Sequence, residues 1–274
     1  MEFVILAFIG LFSGIVGALV GLGGGVILVP ATLYIGVNLG LIEGITPQSV
    51  VGLSVVMMIF IGLSSTLYYM KTKTIDYQSS LIFFAGSVPG TLLGAYVNKG
   101  LNLSSFNLYF GILLIAISTL LLVRKYLKPV RWFVDHGRQR TFTDNRGETH
   151  VFGYPIWFAL LLTFGIGFIS GLFGIGGGSI IVPAMILLFL FPPHVAVGTS
   201  MFMVFLSAIV NSITHISLGN VPWLYTIAVV PAAYFGARIG ASLNQKMKSE
   251  TLVTALRITL LLLGVRSIIS SLLG

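Results

Sequence analysis

Long apolar segments follow one another along almost the whole chain, separated by short stretches rich in glycine, proline, asparagine or charge. Most reach roughly the 20 residues that a helix needs to cross the hydrocarbon core of a bilayer. We predict ten membrane segments, at residues 3–20, 26–41, 48–69, 79–97, 106–123, 155–173, 179–191, 195–217, 221–243 and 251–272. The second and seventh are short and contain Pro30 and Pro183, so we expect them to be broken helices.

Composition supports lipid rather than water as the solvent. Hydrophobic residues make up 56% of the 274 residues and charged residues only 8%, against about 25% charged residues in a typical soluble domain. The chain has no cysteine, which excludes disulfides, thiolate metal sites and a cysteine nucleophile. The start at Glu2 and Phe3 lacks the basic segment of a cleaved signal peptide. The first apolar segment is therefore predicted to be a true span.

The two halves of the chain are internal repeats. Residues 19–31 read LVGLGGGVILVPA and residues 172–184 read LFGIGGGSIIVPA, with nine of the thirteen positions identical. The correspondence continues in order, through VGLS at 51–54 against VGTS at 197–200 and through the later span prolines. We predict a first membrane repeat at 1–123 and a second at 154–274.

A basic, polar stretch at residues 124–153 separates the repeats. Two alternating segments within it flank the turn-forming run Asp144 to Gly147, which predicts a small β-hairpin on the solvent side. We interpret the stretch as a linker between the halves.

The net charge of +8 comes from basic residues that cluster in a few loops. If each half crosses the membrane five times and the N-terminus is outside, twelve of the fifteen basic residues face the cytoplasm, as the positive-inside rule requires. An odd number of crossings makes the two repeats inverted. Inverted repeats with broken helices are typical of transporters that bind their substrate near mid-membrane. This clustering in loops argues against nucleic-acid binding.

Two glycine runs are the first candidate for substrate binding: Gly23, Gly24 and Gly25, and Gly176, Gly177 and Gly178 followed by Ser179. Adjacent glycines at a helix start expose backbone N–H groups that can bind an anion. The alternative is close helix packing through small residues, which is common in membranes. No Gly-Lys-Ser/Thr follows either run, so an ATP-binding loop is excluded.

Polar residues in the third and eighth spans are the second candidate: Ser54, Thr199, Ser200, Asn211 and His215. Asn211 and His215 are four residues apart and share a helix face. Buried polar groups in lipid often mark a pathway, although they also form hydrogen bonds between helices. His215 could take up a coupling proton. Arg238 could present a fixed positive charge to an anion, or extend to the interface.

Enzyme and metal sites are not predicted. The seven acidic residues lie in loops or at segment ends, the four histidines are scattered, and no catalytic triad is recognisable. We expect no cofactor, and the lack of embedded carboxylates disfavours a cation pump.

The duplicated G-[LI]-G-G-G-x-[IL]-[LI]-V-P-A motif, the following V-G-x-S and the basic central stretch resemble the TauE/SafE family of sulfite and organosulfonate exporters (the 4-toluene sulfonate uptake permease-like group). This resemblance covers essentially the whole chain. It implies a secondary transporter of small sulfur-containing anions such as sulfite, thiosulfate or organosulfonates. It carries over to the two glycine runs, Pro30 and Pro183.

We therefore expect an exporter in the prokaryotic plasma membrane, working by alternating access and with proton coupling as an option. A channel-like passive anion permease is the alternative, and a membrane scaffold or sensor ranks third. The expected partners are a small anionic substrate and the lipid bilayer, and assembly of several copies of the chain stays open.

Overall fold

The structure, a computed structural model, describes residues 2–42, 44–123, 126, 131–143, 149–244 and 250–273. Within these residues the chain forms eleven α-helices, a short π-helix and one two-stranded sheet. The first half contains α1 (Glu2–Val20), α2 (Gly25–Leu33), the π-helix (Tyr34–Asn38), α3 (Pro47–Lys71), α4 (Tyr77–Lys99) and α5 (Leu103–Val123). Between the halves lie α6 (Trp132–Asp135), β1 (Arg138–Thr143) and β2 (Thr149–Tyr154). The second half contains α7 (Ile156–Phe173), α8 (Gly178–Leu187), α9 (Pro193–Ser217), α10 (Trp223–Asn244) and α11 (Glu250–Leu273).

The long helices are apolar enough to span a bilayer. Among the described residues, seven of them meet that condition by length and composition, and α11 adds an apolar stretch at Leu260–Leu272. A helix satisfies its own backbone groups, so it is the element that lipid permits. The predicted all-α polytopic membrane fold is confirmed.

The short helices α2 and α8 each begin directly at a glycine run. Pro30 and Pro183 lie inside these helices. The expected break at the prolines is therefore not observed, and the chain is interrupted at the glycine runs instead. The first half continues past α2 as the π-helix, whereas α8 ends at Leu187. Irregular backbone therefore precedes both prolines at the glycine runs, and in the first half the π-helix adds a second irregular segment after Pro30.

The pairs α1–α10 and α4–α7 pack as parallel neighbours. Near the start of the first pair, the rings of Phe3 and Tyr225 are in contact, and near its end the Asn244 amide donates to the Leu19 carbonyl oxygen at 2.6 Å. At the end of the second pair, the Asn98 amide donates to the Leu172 carbonyl oxygen at 2.8 Å. Leu19 and Leu172 are equivalent residues of the two repeats. An asparagine side chain of each half therefore binds the equivalent carbonyl group of the other half.

The most buried spans are α3 and α9, which cross at the centre of the molecule in antiparallel directions. Gly52 near the start of α3 packs on Asn220 just beyond the end of α9, and Gly62 packs on Phe205. The pair α5–α11 is also antiparallel, since Ser104 contacts Ser271 and the Ser118 hydroxyl donates to the Arg257 carbonyl oxygen at 2.9 Å.

The segment between the halves is docked on the membrane domain. Strands β1 and β2 pair in antiparallel register from Arg138↔Tyr154 to Thr143↔Thr149, and the predicted turn at 144–147 lies outside the described residues. Phe152 and Tyr154 are buried in the core. The Gly153 N–H donates to the Phe189 carbonyl oxygen, which follows α8, at 3.2 Å. The hairpin therefore contacts the second half as a packed element.

Candidate functional site

The two glycine runs cross each other at the centre of the protein. We call residues 21–25 and 174–178 the glycine crossing. A β-carbon on Gly25 would overlap the Gly174 carbonyl oxygen, and one on Gly178 would overlap the Gly21 carbonyl oxygen. Because the obstructing atoms belong to backbone, no side-chain rotation can make room. Glycine at these positions lets the backbones of the two halves touch.

The runs are similar but not identical in conformation. Gly23 and Gly176 both have positive φ, at 85° and 72°, a region that glycine adopts without steric cost. Gly24 is also left-handed at φ 85°, whereas its repeat equivalent Gly177 is right-handed at φ −62°. The backbone N–H groups of the two runs therefore differ in direction, and the crossing is not symmetric.

Two serines at equivalent positions hold the crossing together. The Ser54 hydroxyl donates to the Gly174 carbonyl oxygen at 2.8 Å, and the Ser200 hydroxyl donates to the Gly21 carbonyl oxygen at 3.1 Å. Each half thus binds the glycine run of the other half. Both serines are completely buried, so their hydroxyl hydrogens already have protein acceptors.

His215 and its repeat equivalent Tyr69 bind equivalent carbonyl groups at the ends of α7 and α1. The Tyr69 hydroxyl donates to Ala18 at 2.9 Å, and His215 Nε2 lies 3.2 Å from the Gly171 carbonyl oxygen. The Asn220 side-chain nitrogen lies 3.1 Å from His215 Nδ1. A neutral ring with its hydrogen on Nε2 satisfies both contacts. The geometry therefore gives His215 a structural role at the end of α7.

Asn211, one turn before His215 on α9, also binds a carbonyl group near the end of α7. Its amide nitrogen donates to the Ser170 carbonyl oxygen at 3.3 Å, while its Oδ1 atom is buried with no hydrogen-bond partner in the described part of the chain. The equivalent residue Ser65 also has a buried hydroxyl oxygen without a partner there. Buried polar atoms normally have partners. The Asn211 Oδ1 atom and the Ser65 hydroxyl oxygen can therefore each still take part in a hydrogen bond.

A small cavity with a mostly apolar surface, which includes Ile166, Met203 and Val204, adjoins Gly177 between α4, α7 and α9. Four hydroxyl residues line it: Ser87, Thr91, Ser170 and Ser207. About 10 Å³ of it can hold the centre of a water-sized sphere, roughly the space of one water molecule. The Ser87 and Ser207 hydroxyl oxygens lie 2.9 Å apart and join the first half to the second. None of its described lining residues is charged.

The alignment of the two repeats shows that the hydroxyl residues of this cavity are not repeated at the equivalent positions on the other side of the crossing. The positions equivalent to its four hydroxyl residues are Val229, Ala233, Gly17 and Ile61. These residues have no side-chain donor. The sequence pattern singled out Gly177 but missed the four hydroxyls, and the signal that could have found them is hydroxyl residues aligned with apolar ones in the other repeat.

The remaining predicted residues occupy other surroundings. Thr199 faces the α3–α4 loop, where its hydroxyl oxygen accepts from the Asp76 N–H at 3.0 Å. Ser179 is buried and donates weakly to the Gly176 carbonyl oxygen at 3.5 Å. Arg238 is exposed on the surface of α10. Thr199 and Arg238 are thus not part of the cavity, whereas both glycine runs, Ser54 and Ser200 converge at the crossing.

A buried ion pair, which the sequence pattern did not single out, anchors the hairpin. Arg140 on β1 lies 3.2 Å from the Asp76 carboxylate, with the side chains 24% and 5% exposed. The Ser79 hydroxyl also donates to Asp76, and the Tyr154 hydroxyl donates to Ser79 at 2.6 Å. Burial raises the pKa of Tyr154 above its ordinary value, so the phenol stays protonated and serves as a donor. We call these four residues the hairpin anchor.

These features define a polytopic all-α membrane protein with a duplicated core joined at a glycine crossing. The family described as sulfite exporter TauE/SafE matches residues 6–267. The chain belongs to this family and is a membrane transporter, as the resemblance in its motifs implied.

Several relatives carry the corresponding names. The probable membrane transporter protein YunE of Bacillus subtilis is 49% identical over 264 residues, 96% of each chain. A probable membrane transporter protein of Methanocaldococcus jannaschii is 25% identical over 258 residues, 90% of this chain and 88% of its own. Sulfite exporter TauE/SafE family protein 6 of Arabidopsis thaliana is 36% identical over 89 residues, 32% of this chain and 20% of its own. No solved structure matches the chain.

Proposed function

We propose that the protein is a secondary transporter that exports small sulfur-containing anions, such as sulfite, thiosulfate or organosulfonates, by alternating access. The observation that carries this proposal is the cavity beside Gly177, where hydroxyl residues of both halves meet irregular backbone. The printed names of the family and of the Arabidopsis relative refer to sulfite export. We place the protein in the prokaryotic plasma membrane.

The cavity provides neutral donors for a dehydrated anion. Removing an anion from water costs several kcal/mol even after relaxation, so protein donors must replace its hydration. The Ser87 hydroxyl donates to the Phe84 carbonyl oxygen at 3.0 Å and accepts from the Ser207 hydroxyl at 2.9 Å, so the Ser207 hydrogen bond can be transferred to an anion when the halves move apart. The Thr91 hydroxyl donates to the Gly167 carbonyl oxygen at 3.3 Å, whereas Ser170 and the backbone N–H groups that follow Gly177 can add donors. Neutral donors suit a carrier, because a fixed cation would slow release of the anion.

Close packing at the crossing favours a carrier over the channel-like alternative. The cavity holds roughly one water molecule, and the backbones around it are in contact at Gly25 and Gly178. An anion the size of sulfite requires the halves to move apart. We therefore interpret the conformation as occluded.

The directions of equivalent helices support inverted repeats. The central pair α3 and α9 is antiparallel, and it consists of equivalent helices. The pair α1–α10 begins at Glu2, whose carboxylate accepts from the Tyr225 hydroxyl at 3.2 Å, whereas α4 and α7 both begin beside the hairpin, where Ser79 contacts Tyr154. The hairpin end also carries Lys71, Lys73 and Arg140, so we place it in the cytoplasm.

Substitution of Ser207 tests the cavity. In proteoliposomes loaded in turn with sulfite, thiosulfate and methanesulfonate, we expect Ser207→Ala to raise KM by about tenfold or slightly more, since one hydrogen bond to an anion contributes roughly 1.5 kcal/mol. The control is Ser217→Ala, on the same helix but exposed and ten residues away, about 15 Å along the axis. Equal KM values for both variants and the wild type would place the substrate elsewhere.

The same vesicles separate a carrier from a channel. A carrier coupled to protons shows accumulation of the anion that follows an imposed pH gradient, and its flux saturates. A passive permease equilibrates the anion without accumulation. Failure of all three anions to move, with a folded and correctly inserted protein, would refute the proposed substrate class.

A further inference from the structure

A second cavity lies on the opposite side of the molecule from the hairpin, between α2, α5 and α11. About 40 Å³ of it can hold the centre of a water-sized sphere, enough for a few water molecules. Its polar lining residues are Tyr34, Asn107, Arg266, Ser267 and Ser270, and Pro30, Leu33, Phe110 and Leu263 form its apolar wall. We call it the Arg266 cleft. It shares no lining residue with the cavity beside Gly177.

Arg266 lines the cleft, and no carboxylate in the described part of the chain forms an ion pair with it. Its guanidinium carbon lies 3.4 Å from the centroid of the Tyr34 ring, which is a cation–π contact. Within the described ranges, the carboxylate that pairs with an arginine is Asp76, and its partner is Arg140. Stacking on a ring leaves the five N–H donors of a guanidinium, which point outward in its plane, free to bind an acceptor.

The surroundings of Arg266 are built from three separate elements. Tyr34 begins the π-helix, a rare conformation that is frequent at functional sites. On the other side, the Ser267 hydroxyl donates to the Asn107 carbonyl oxygen at 2.8 Å and fixes α11 against α5. Ser270, about one turn further along α11, places a second hydroxyl beside the cleft. Together they provide a forked cation and the Ser270 hydroxyl beside an apolar wall.

We propose that the Arg266 cleft binds an oxyanion group of the sulfonate, sulfite or phosphate type. A guanidinium binds such a group through two parallel N–H···O bonds, and the Ser270 hydroxyl can add a further donor. Arg266 precedes the end of α11 by seven residues, about 10 Å along the axis. This depth is accessible to a free anion entering from the aqueous phase and to the phosphate of a phospholipid, so both sources satisfy the same chemistry.

The test measures binding without transport. Full-length protein is reconstituted in nanodiscs of phosphatidylcholine, and the unfolding midpoint is followed as inorganic sulfate is added. All variants carry Ser207→Ala, so that a loss cannot originate in the cavity beside Gly177. Arg266→Gln removes the charge, Arg266→Lys keeps it without the planar fork, and Arg257→Gln is the control on the same helix. Unfolding midpoints without sulfate verify that each variant is folded.

A free-anion site predicts that Arg266→Gln needs at least about tenfold more sulfate than Arg257→Gln for the same stabilisation, with Arg266→Lys between them. A lipid-phosphate site is already filled by phosphatidylcholine and predicts no response to sulfate. Added phosphatidylglycerol, whose phosphate has no competing choline cation, should then stabilise the protein, and Arg266→Gln should lose that stabilisation. Either result supports the cleft, even if the transported anion is not the one proposed above. Equal responses of Arg266→Gln and Arg257→Gln to both anions would overturn it.

Discussion

The sharpest test of the glycine crossing is the pair Gly178→Ala and Gly165→Ala. At Gly178 the new β-carbon would overlap the backbone carbonyl oxygen of Gly21. At Gly165, in α7, nothing lies within 4 Å of an added β-carbon. Both changes add one methyl group to a glycine in the second half, so their difference reports the contact between halves and not the chemistry of the substitution.

The structure predicts changes in the free energy of unfolding that differ in direction between the two variants. Overpacking against an immobile backbone costs about 1–3 kcal/mol, and separation of the runs also weakens the Ser200 bond to Gly21, worth about 1 kcal/mol. We expect Gly178→Ala to lose about 2–4 kcal/mol. Alanine in a helix interior is favoured over glycine by about 0.5–1 kcal/mol, so Gly165→Ala should be neutral or slightly stabilising.

Unfolding in mixed micelles measures the free energy of unfolding, and proteoliposome flux measures the activity of the same preparations. Gly178→Ala should insert in the membrane, lose stability and lose transport, because the two halves no longer fit in the occluded state. If Gly178→Ala were as stable and active as Gly165→Ala, the runs would not be in contact in the working protein, and the crossing described above would be refuted.

Two further predictions concern the faces of the membrane. Cysteines placed at Glu2 and at Gln139 should react with an impermeant reagent from opposite sides, because inverted halves put the N-terminus outside and the hairpin inside; reaction from one side alone contradicts the topology. Arg140→Gln should lower the free energy of unfolding by about 1–3 kcal/mol, since it leaves the Asp76 carboxylate buried without its partner. It should also speed trypsin cleavage in the hairpin, and an unchanged cleavage rate would show that the ion pair does not hold the hairpin down.

The sequence was most informative about elements that lipid itself selects. Each predicted span corresponds to a helix, because a bilayer admits few alternatives to a run of about 20 apolar residues. The boundaries of α1 and α9 agree with the apolar pattern within about two residues. The family followed from the duplicated glycine motif, whose spacing is specific.

Contacts between distant segments could not be inferred in this way. Ser54 and Ser200 were selected as candidates because of polarity in an apolar span, yet that property fits a substrate ligand and a hydrogen bond between helices equally well. Only the fold shows that each serine donates to a glycine carbonyl of the other half. The same holds for His215, whose partners at Gly171 and Asn220 are set by the packing of α9 on α7.

By itself the sequence determined that this chain spans a membrane, that it is duplicated and that glycine runs begin its two short helices, since hydropathy, identity and backbone freedom are local properties. The tertiary structure alone decided that hydroxyl residues of both halves line a cavity beside Gly177, that Asp76 is paired with Arg140 and that Arg266 stacks on Tyr34. Each of these joins residues more than 60 positions apart, and their meeting depends on how helices cross, which no local pattern encodes.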